Sequence, residues 1–349
     1  MNNGKYGLGI VGFGGMADHH QRSLKSNEKI EVVSVCDMKA DRLEYGQSLG
    51  YKPYEQYTEM LQDPAVDLIL IATPNHIHKE YAIQALEAGK HVICEKPVTI
   101  TSAEMKEIMD AVERTGSKFM VHQNRRWDDD YLTIKKIYDE KIIGDVFNIE
   151  SRVHGSRGIP GDWRHSIEYG GGMMLDWGVH LIDRVMMMVN EKITKVYCQL
   201  SYVWKEECDD GFTLLLTFES GKTALLEVGT LNYQTLPLWY VCGTEGTATI
   251  KDWSMEGEMV RIVTEEHKDA KPIVAGAGFT KTMAPRGEED LEKAPLPIVN
   301  GDVTEFYTNF VDVIEGKVEP FVKNEEVLKV MEIIEAAFES SKKGQAVLL

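Results

Sequence analysis

The stretch that most restricts the fold is "YGLGIVGFGGMADHH", residues 6 to 20, an apolar strand that runs into glycines and out into a helix. Two glycine frames compete there. Gly7-x-Gly9-x-x-Gly12 puts the turn inside the strand, whereas Gly12-x-Gly14-x-x-Ala17 follows the strand and opens the helix. Only the second has the context that a phosphate-cradling turn requires. In that frame Gly12 permits the tight turn, Gly14 lets the backbone approach a pyrophosphate, and Ala17 keeps helix and strand close. The N–H groups at the helix start complete the anion site. Asp37 ends the next apolar strand, "IEVVSVCD", where an acid grips ribose hydroxyls and repels a 2′-phosphate. NAD is therefore expected over NADP, with Lys39 and Arg42 close enough to soften the preference. The plainer alternative is a strand-to-helix turn with Asp37 as a helix cap.

The alternation continues. "VDLILIAT", "KHVICEKP" and "KFMVHQN" read as three further strands, separated by helical stretches such as "HKEYAIQALEAGK" and "SAEMKEIMDAVERTG". Continuous apolar strands separated by helices imply a parallel sheet covered on both faces, a doubly wound α/β domain over residues 1–123. From residue 124 the period changes. "DVFNIESRVH", "ITKVYCQLSYVW", "FTLLLTFES" and "TALLEVGT" alternate as antiparallel strands do, and Ser220-Gly221-Lys222 reads as a hairpin turn. A second hairpin is expected at Gly243 to Gly246. Residues 265–300, with four prolines, read as a long irregular excursion, and two helices close the chain. Residues 124–349 thus read as an α+β domain with a mostly antiparallel sheet, whose last helix, 324–343, is expected to pack back on the first domain.

Bulk properties narrow the partners. A net charge of −18 over 349 residues disfavours nucleic acid and anionic membrane, which reward basic surfaces. The longest apolar run, Val66 to Thr73, is too short to span a bilayer, and the N-terminus lacks the pattern of a secretory leader. Five scattered cysteines form neither a CxxC pair nor a disulfide framework, so a reducing, cytoplasmic setting is expected.

Two further segments carry chemistry. "CEKPVT" places Lys96 at the carboxyl end of a parallel strand, where ligands of such sheets bind. Pro97 restricts it and makes the Lys96–Pro97 bond a candidate for the cis form. A surface lysine paired with Glu95 is the bland alternative. Asn75 in "TPNHIH" ends the preceding strand in the same crevice, where it could bond a ribose or a carboxamide, or simply serve a turn. "GGGMMLDWGVHLIDRVMMM" then sets Asp176, His180 and Asp183 at steps of four and three within an apolar helix. That spacing stacks them along one face. One helix face supplies only part of a coordination shell, so no metal is expected.

Together "GIVGFGGMA", "TPNHIH", "CEKPVT", "HQNRRWDDDY", "GDWR" and "GGGMMLDWGVHLID" resemble the glucose–fructose oxidoreductase, inositol dehydrogenase and rhizopine-catabolism (Gfo/Idh/MocA) family over nearly the whole chain. The resemblance implies a Rossmann domain followed by an α/β domain on a large, open, mainly antiparallel sheet. It also implies a nicotinamide cofactor, sugar, glycoside or inositol substrates, and homodimers or homotetramers through the open sheet face. By resemblance the catalytic set is Lys96, Asp176 and His180; Glu95 and Asn75, at neighbouring strand ends, are expected to be cofactor contacts.

On that basis His180 is expected to take or give the hydroxyl proton and Lys96 to bond the reacting oxygen. Asp176 would orient the imidazole or bond a neighbouring hydroxyl, with Asp183 secondary. Gly178 is expected to make room for substrate or nicotinamide. Trp163 and Arg164 are candidate substrate contacts, as are His165, Arg126 and Trp127, the last two with structural duty as an equal alternative. Two competing functions keep the same fold: a glycosidase that oxidises its sugar transiently with catalytic NAD, and a silent sugar or dinucleotide sensor.

Overall fold

The computed structural model describes residues 4–263 and 286–349. Its first sheet is built from β1 (Tyr6–Val11), β2 (Ile30–Cys36), β3 (Lys52–Tyr54), β4 (Leu68–Ile71), β5 (His91–Cys94) and β6 (Phe119–Val121). All neighbours are parallel in the order β3-β2-β1-β4-β5-β6. Helices α1 (Gly15–Ser23), α2 (Ala40–Ser48), α3 (Tyr57–Leu61), α4 (His78–Glu87) and α5 (Ser102–Thr115) alternate with the strands. Helices on both faces leave the strands no solvent side, and β4 and most of β5 are buried accordingly. The strand order reverses between β1 and β4, and their carboxyl ends open the crevice there. The short edge strand β3 escapes a reading based on apolar runs, because Pro53 sits inside it; proline is tolerated at a sheet edge.

The second sheet has nine strands among the described residues. After α6 (Asp129–Asp139), β7 (Val146–His154) precedes helix α7 (Val179–Val189). Then come β8 (Ile193–Ser201), β9 (Gly211–Phe218), β10 (Thr223–Gly229), β11 (Trp239–Gly243), β12 (Gly246–Ile250), β13 (Gly257–Ile262) and β14 (Leu291–Ala294). The order is β14-β13-β12-β11-β7-β10-β9-β8-β15, where β15 is Val347–Leu348, and the pairing is antiparallel except between β7 and β10. Both expected hairpins form, β9–β10 around Gly221 and β11–β12 around Gly243 to Gly246. Of the excursion expected over 265–300, residues up to 285 lie outside the described residues, and the remainder contains β14 rather than only irregular chain.

Helix α8 (Glu305–Ile314) carries Tyr307 into the interior, and α9 (Asn324–Lys343) joins the two sheets. On one side Glu335 accepts hydrogen bonds from the backbone N–H and hydroxyl of Ser102 at the start of α5. On the other, Ser340 and Ser341 hydroxyls accept the N–H groups of Cys198 and Leu200 on β8. One face of the second sheet is covered in this way. The other presents a cross-strand row, Tyr197–Leu215–Leu225–Glu150–Tyr240, in which Tyr197, Leu215 and Tyr240 are exposed.

Candidate active site

The glycine turn has the form a pyrophosphate needs. Gly12 has φ +82°, and a Cβ there would lie 2.8 Å from the backbone of Ala72, so only glycine fits. Around Gly14 a Cβ would meet nothing within 4 Å, which leaves open space beside the N-terminus of α1, whose cap makes no side-chain hydrogen bond. Ala17 is wholly buried between helix and sheet. Asp37 accepts the N–H of Phe13 at 2.7 Å and of Lys39 at 2.9 Å, which fixes its carboxylate beside the turn. A 440 Å3 cavity follows, and its charged lining is acidic throughout: Asp37, Glu55 and Glu80. A dinucleotide fits this donor set: N–H groups for phosphates, a fixed carboxylate for ribose hydroxyls.

At the next strand ends Lys96 meets Asp176. Its Nζ lies 3.0 Å from Oδ1 of Asp176 and 2.9 Å from the backbone oxygen of the same residue, and the Lys96–Pro97 bond is cis. Burial pushes the Asp176 carboxyl up, but Lys96 and then Arg164 outweigh it and hold the acid below its usual range. Arg164 Nε stands 3.5 Å from the other carboxylate oxygen. Asp176 therefore clamps the two cations. Its contacts are with Lys96 and Arg164 rather than His180, so orienting the imidazole, one of the two roles expected of it, is not among them.

His180 is 3% exposed, and its Nδ1 is buried with no hydrogen-bond partner. Burial, then Lys96, Arg125 and Arg184, hold its pKa well below the usual value. The imidazole is thus held in its neutral form, the form from which a proton acceptor starts. The helix carrying these residues is not uniform: Met174–Gly178 is a π turn and the α form begins at Val179. The wider turn takes Asp176 out of the simple α stripe. Gly178 makes room for protein rather than ligand, since a Cβ there would lie 2.7 Å from the Met174 sulfur and 3.4 Å from the Phe212 ring. Asp209 fixes the start of the segment. Its side chain accepts the Met174 N–H at 2.7 Å, its backbone oxygen accepts that of Met173, and burial pushes its carboxyl up to about 7. Gly172 (φ +100°) packs against that carboxylate where a Cβ would lie 2.3 Å away.

Several expected contacts lie elsewhere. Arg126 is spent inside the protein: its fork holds Asp183 at 2.9 and 2.7 Å and a third nitrogen reaches Glu326 at 2.8 Å. Asp183 is thereby a structural partner, and neither residue serves as a substrate contact. Trp127 donates to Glu305 and packs on Phe306 and Phe321. Glu95 points inward. One oxygen accepts from His20 at 2.7 Å and His122 at 2.9 Å, and the other meets the Lys96 N–H, so its carboxylate is not presented to a cofactor. Burial raises this acid, yet the two imidazoles prevail and keep it ionised. The three donors lie within 4.8 Å of one another, a set of metal-ligating residue types that the sequence separates widely; here direct hydrogen bonds join them. His20 Nδ1 continues the chain to the Tyr307 hydroxyl at 2.7 Å. Asn75 is buried and donates to the Gly170 carbonyl at 2.8 Å, tying the strand end to the glycine run. His165 bonds Glu206 and the Ile159 carbonyl, and Trp163 lies under the Arg164 guanidinium, 4.6 Å from ring centre to carbon.

A 590 Å3 cavity opens beside Asp176 against the ends of β7 and β10. Its walls include Trp177, Trp253 and Arg125, whose guanidinium carbon lies 4.3 Å from the first ring and 5.2 Å from the second. Sequence reasoning missed Arg125 by one position. Residues 124–127 form a 3-10 turn, so consecutive side chains diverge: Arg125 faces the cavity and Arg126 the interior. Trp253 carries no motif and is recognisable only once β12 brings it to Trp177.

Residues 6–123 match the family model described as oxidoreductase family, NAD-binding Rossmann fold, and residues 131–249 match the GFO/IDH/MocA C-terminal domain. The chain is similar to the scyllo-inositol 2-dehydrogenase (NADP(+)) IolW of Bacillus subtilis, 29% identical over 83% of this chain and 81% of that enzyme. The crystal structure of an NAD-binding protein from Listeria innocua superposes with a TM-score of 0.94 at 50% identity, covering 99% of each chain. An aldose-aldose oxidoreductase from Caulobacter crescentus shares the fold, with a TM-score of 0.79 at 22% identity over 99% of this chain and 100% of the other.

Proposed function

Because the chain belongs to the GFO/IDH/MocA oxidoreductase family, we propose that it is an NAD-dependent dehydrogenase acting on a hydroxyl-bearing carbon of a sugar, glycoside or inositol. The observation that carries this reading is the Lys96–Asp176 pair, 3.0 Å apart at the edge of the cavity, with a neutral His180 on the same helical segment. Hydride acceptance is the chemistry that a bound nicotinamide supplies. The protein's part is the proton and the charge. His180 takes the hydroxyl proton, and the Lys96 ammonium stabilises negative charge on the oxygen left behind. Asp176 holds Lys96 in place and keeps its charge balanced in a partly buried setting. Trp177 and Trp253 offer apolar faces to a sugar ring.

Gly12, Gly14 and Ala17 with the start of α1 hold the pyrophosphate, and Asp37 the ribose. The acidic cavity of Asp37, Glu55 and Glu80 supports NAD over NADP by repulsion of a 2′-phosphate, even though the Bacillus relative is named for NADP. The five cysteines are unpaired, which fits a reducing cytoplasm, and no helix among the described residues is long and apolar enough to cross a membrane. The exposed Tyr197, Leu215 and Tyr240 on the open sheet face suit pairing with a second copy.

The test is to mix the protein with NAD or NADP and a panel of inositols, sugars and glycosides, and to follow the absorbance of reduced nicotinamide. Reduction of NAD by at least one polyol, faster than of NADP, is expected. No reduction with any of them, and no oxidation of NADH by the matching ketones, would refute the reading.

A further inference from the structure

We infer that the substrate carries an anionic group, a carboxylate or a phosphate, away from its reacting carbon, and that Arg157 binds it. The inference rests on the dehydrogenase reading of the same site and names its substrate class. Three charged side chains that line the 590 Å3 cavity decide its sign: Arg125, Arg157 and Asp176. Asp176 contributes little negative field, because Lys96 and Arg164 both contact it. His154 in the same wall is neutral: burial, together with Arg152, lowers its pKa, and its Nδ1 accepts the Leu236 N–H. Arg125 is fixed by Asp128 at 2.7 Å and by the two tryptophans, so its charge is largely balanced and the excess rests on Arg157.

Arg157 differs from its neighbours. Arg125, Arg152 and Arg164 each hold a carboxylate, whereas Arg157 is exposed and has no ion pair among the described residues. In a chain with 56 acidic and 38 basic residues, a free guanidinium at a cavity is conspicuous, since acids are abundant enough to pair it. The loop beneath it is fixed. Gly155 N–H bonds the Gly229 carbonyl at 2.8 Å, Gly158 N–H bonds Thr230 at 3.0 Å, and the Gly155 carbonyl accepts Asn232 N–H. Arg157 is thus held on a loop anchored at both ends to the region after β10, above the cavity that ends at Asp176. A planar fork in that position suits a carboxylate or phosphate. The arrangement also answers a long-range problem. A net charge of −18 repels an anion from the surface at large, and a local excess of cations at the binding site reverses that field where it matters.

The experiment compares D-glucose with D-glucuronate and D-glucose 6-phosphate, and myo-inositol with an inositol monophosphate, in steady-state assays with NAD and in calorimetric titrations of the NAD-saturated protein. One charged member of these sets should exceed its neutral counterpart in kcat/KM and in binding by about 10- to 100-fold, the range of a charge-assisted hydrogen-bonded pair. Arg157→Gln should collapse that ratio toward one, and Arg157→Lys should restore part of it. Neutral polyols bound as well as or better than the charged ones, or Arg157→Gln weakening both alike, would overturn the inference. Charged sugars that bind through Arg157 without turnover would uphold it and overturn the dehydrogenase reading instead.

Discussion

Lys96 and His180 constrain each other. A buried imidazole beside an ammonium resists a proton, and both burial and Lys96, in that order, keep His180 neutral. The same ammonium is held by Asp176, so its charge stays at the site rather than turning to solvent. Two outcomes follow from this coupling. Lys96→Met and His180→Asn should each lower turnover by about 10^2- to 10^4-fold, the scale of positioned acid–base groups, while NAD affinity measured by fluorescence titration holds. In NMR titrations the His180 ring should stay neutral well below pH 6.5 in the parent and titrate at higher pH in Lys96→Met. A ring that titrates identically in both would remove Lys96 from its surroundings.

Elements show how far the sequence could be read. Strand–turn–helix periodicity exposes β1, α1 and Asp37, because glycine spacing and an acid at a strand end are local signals. Lys96 and Asp176 are legible only through motifs, since nothing local places residues 80 apart within a hydrogen bond. Arg125 and Arg126 are indistinguishable by composition, and the 3-10 turn that separates them depends on contacts with α7. Gly178 is visible as a cost within a helix, yet the sequence does not say that Phe212 fills the space. The Arg126–Asp183 fork is the element-scale consequence: it locks that turn to α7 and so sets where Arg125 and His180 stand. Asp183 is 1% exposed, so removal of its partner strands a buried charge. Arg126→Ala should therefore cost about 3–5 kcal/mol in urea unfolding, and a loss below about 1 kcal/mol, the worth of an exposed pair, would contradict the fork's burial.

Across the whole molecule, buried imidazoles join elements of the first domain to one another and to α8. His20 links α1 to Glu95 and, through Tyr307, to α8, while the His78 ring lies between the carbonyls of Thr73 and Pro97, to only one of which a neutral imidazole can donate. His20 and His78 are wholly buried and His180 nearly so, and burial is the largest cause lowering each pKa from 6.5. An unfolded chain protonates these rings near pH 6.5, whereas the folded chain does not until lower pH. Between those values the unfolded state binds more protons, so stability is present above about pH 6.5 and is lost as pH falls. Asp209 runs the other way, because its carboxyl, raised to about 7, keeps a proton that the unfolded chain releases down to the ordinary value of 3.8. Five imidazoles lowered by burial, the other two being His91 and His154, outnumber the raised Asp209 and His165, so below pH 6 the unfolded chain binds the more protons and stability falls with pH by about 1.4 kcal/mol per pH unit for each net proton. Relief of self-repulsion as the net charge of −18 is titrated opposes this loss, but it is long-ranged and weakens at ionic strengths of about 0.15 M or more, where the screening length is about 8 Å. Urea midpoints measured in high salt should therefore fall from pH 7 to pH 5.5. His78→Gln, which can still donate to one carbonyl, should flatten the dependence by about one proton. A midpoint that holds or rises toward pH 5.5 in high salt would mean that these rings carry charge inside the fold, and with it His180 would lose its standing as the proton acceptor.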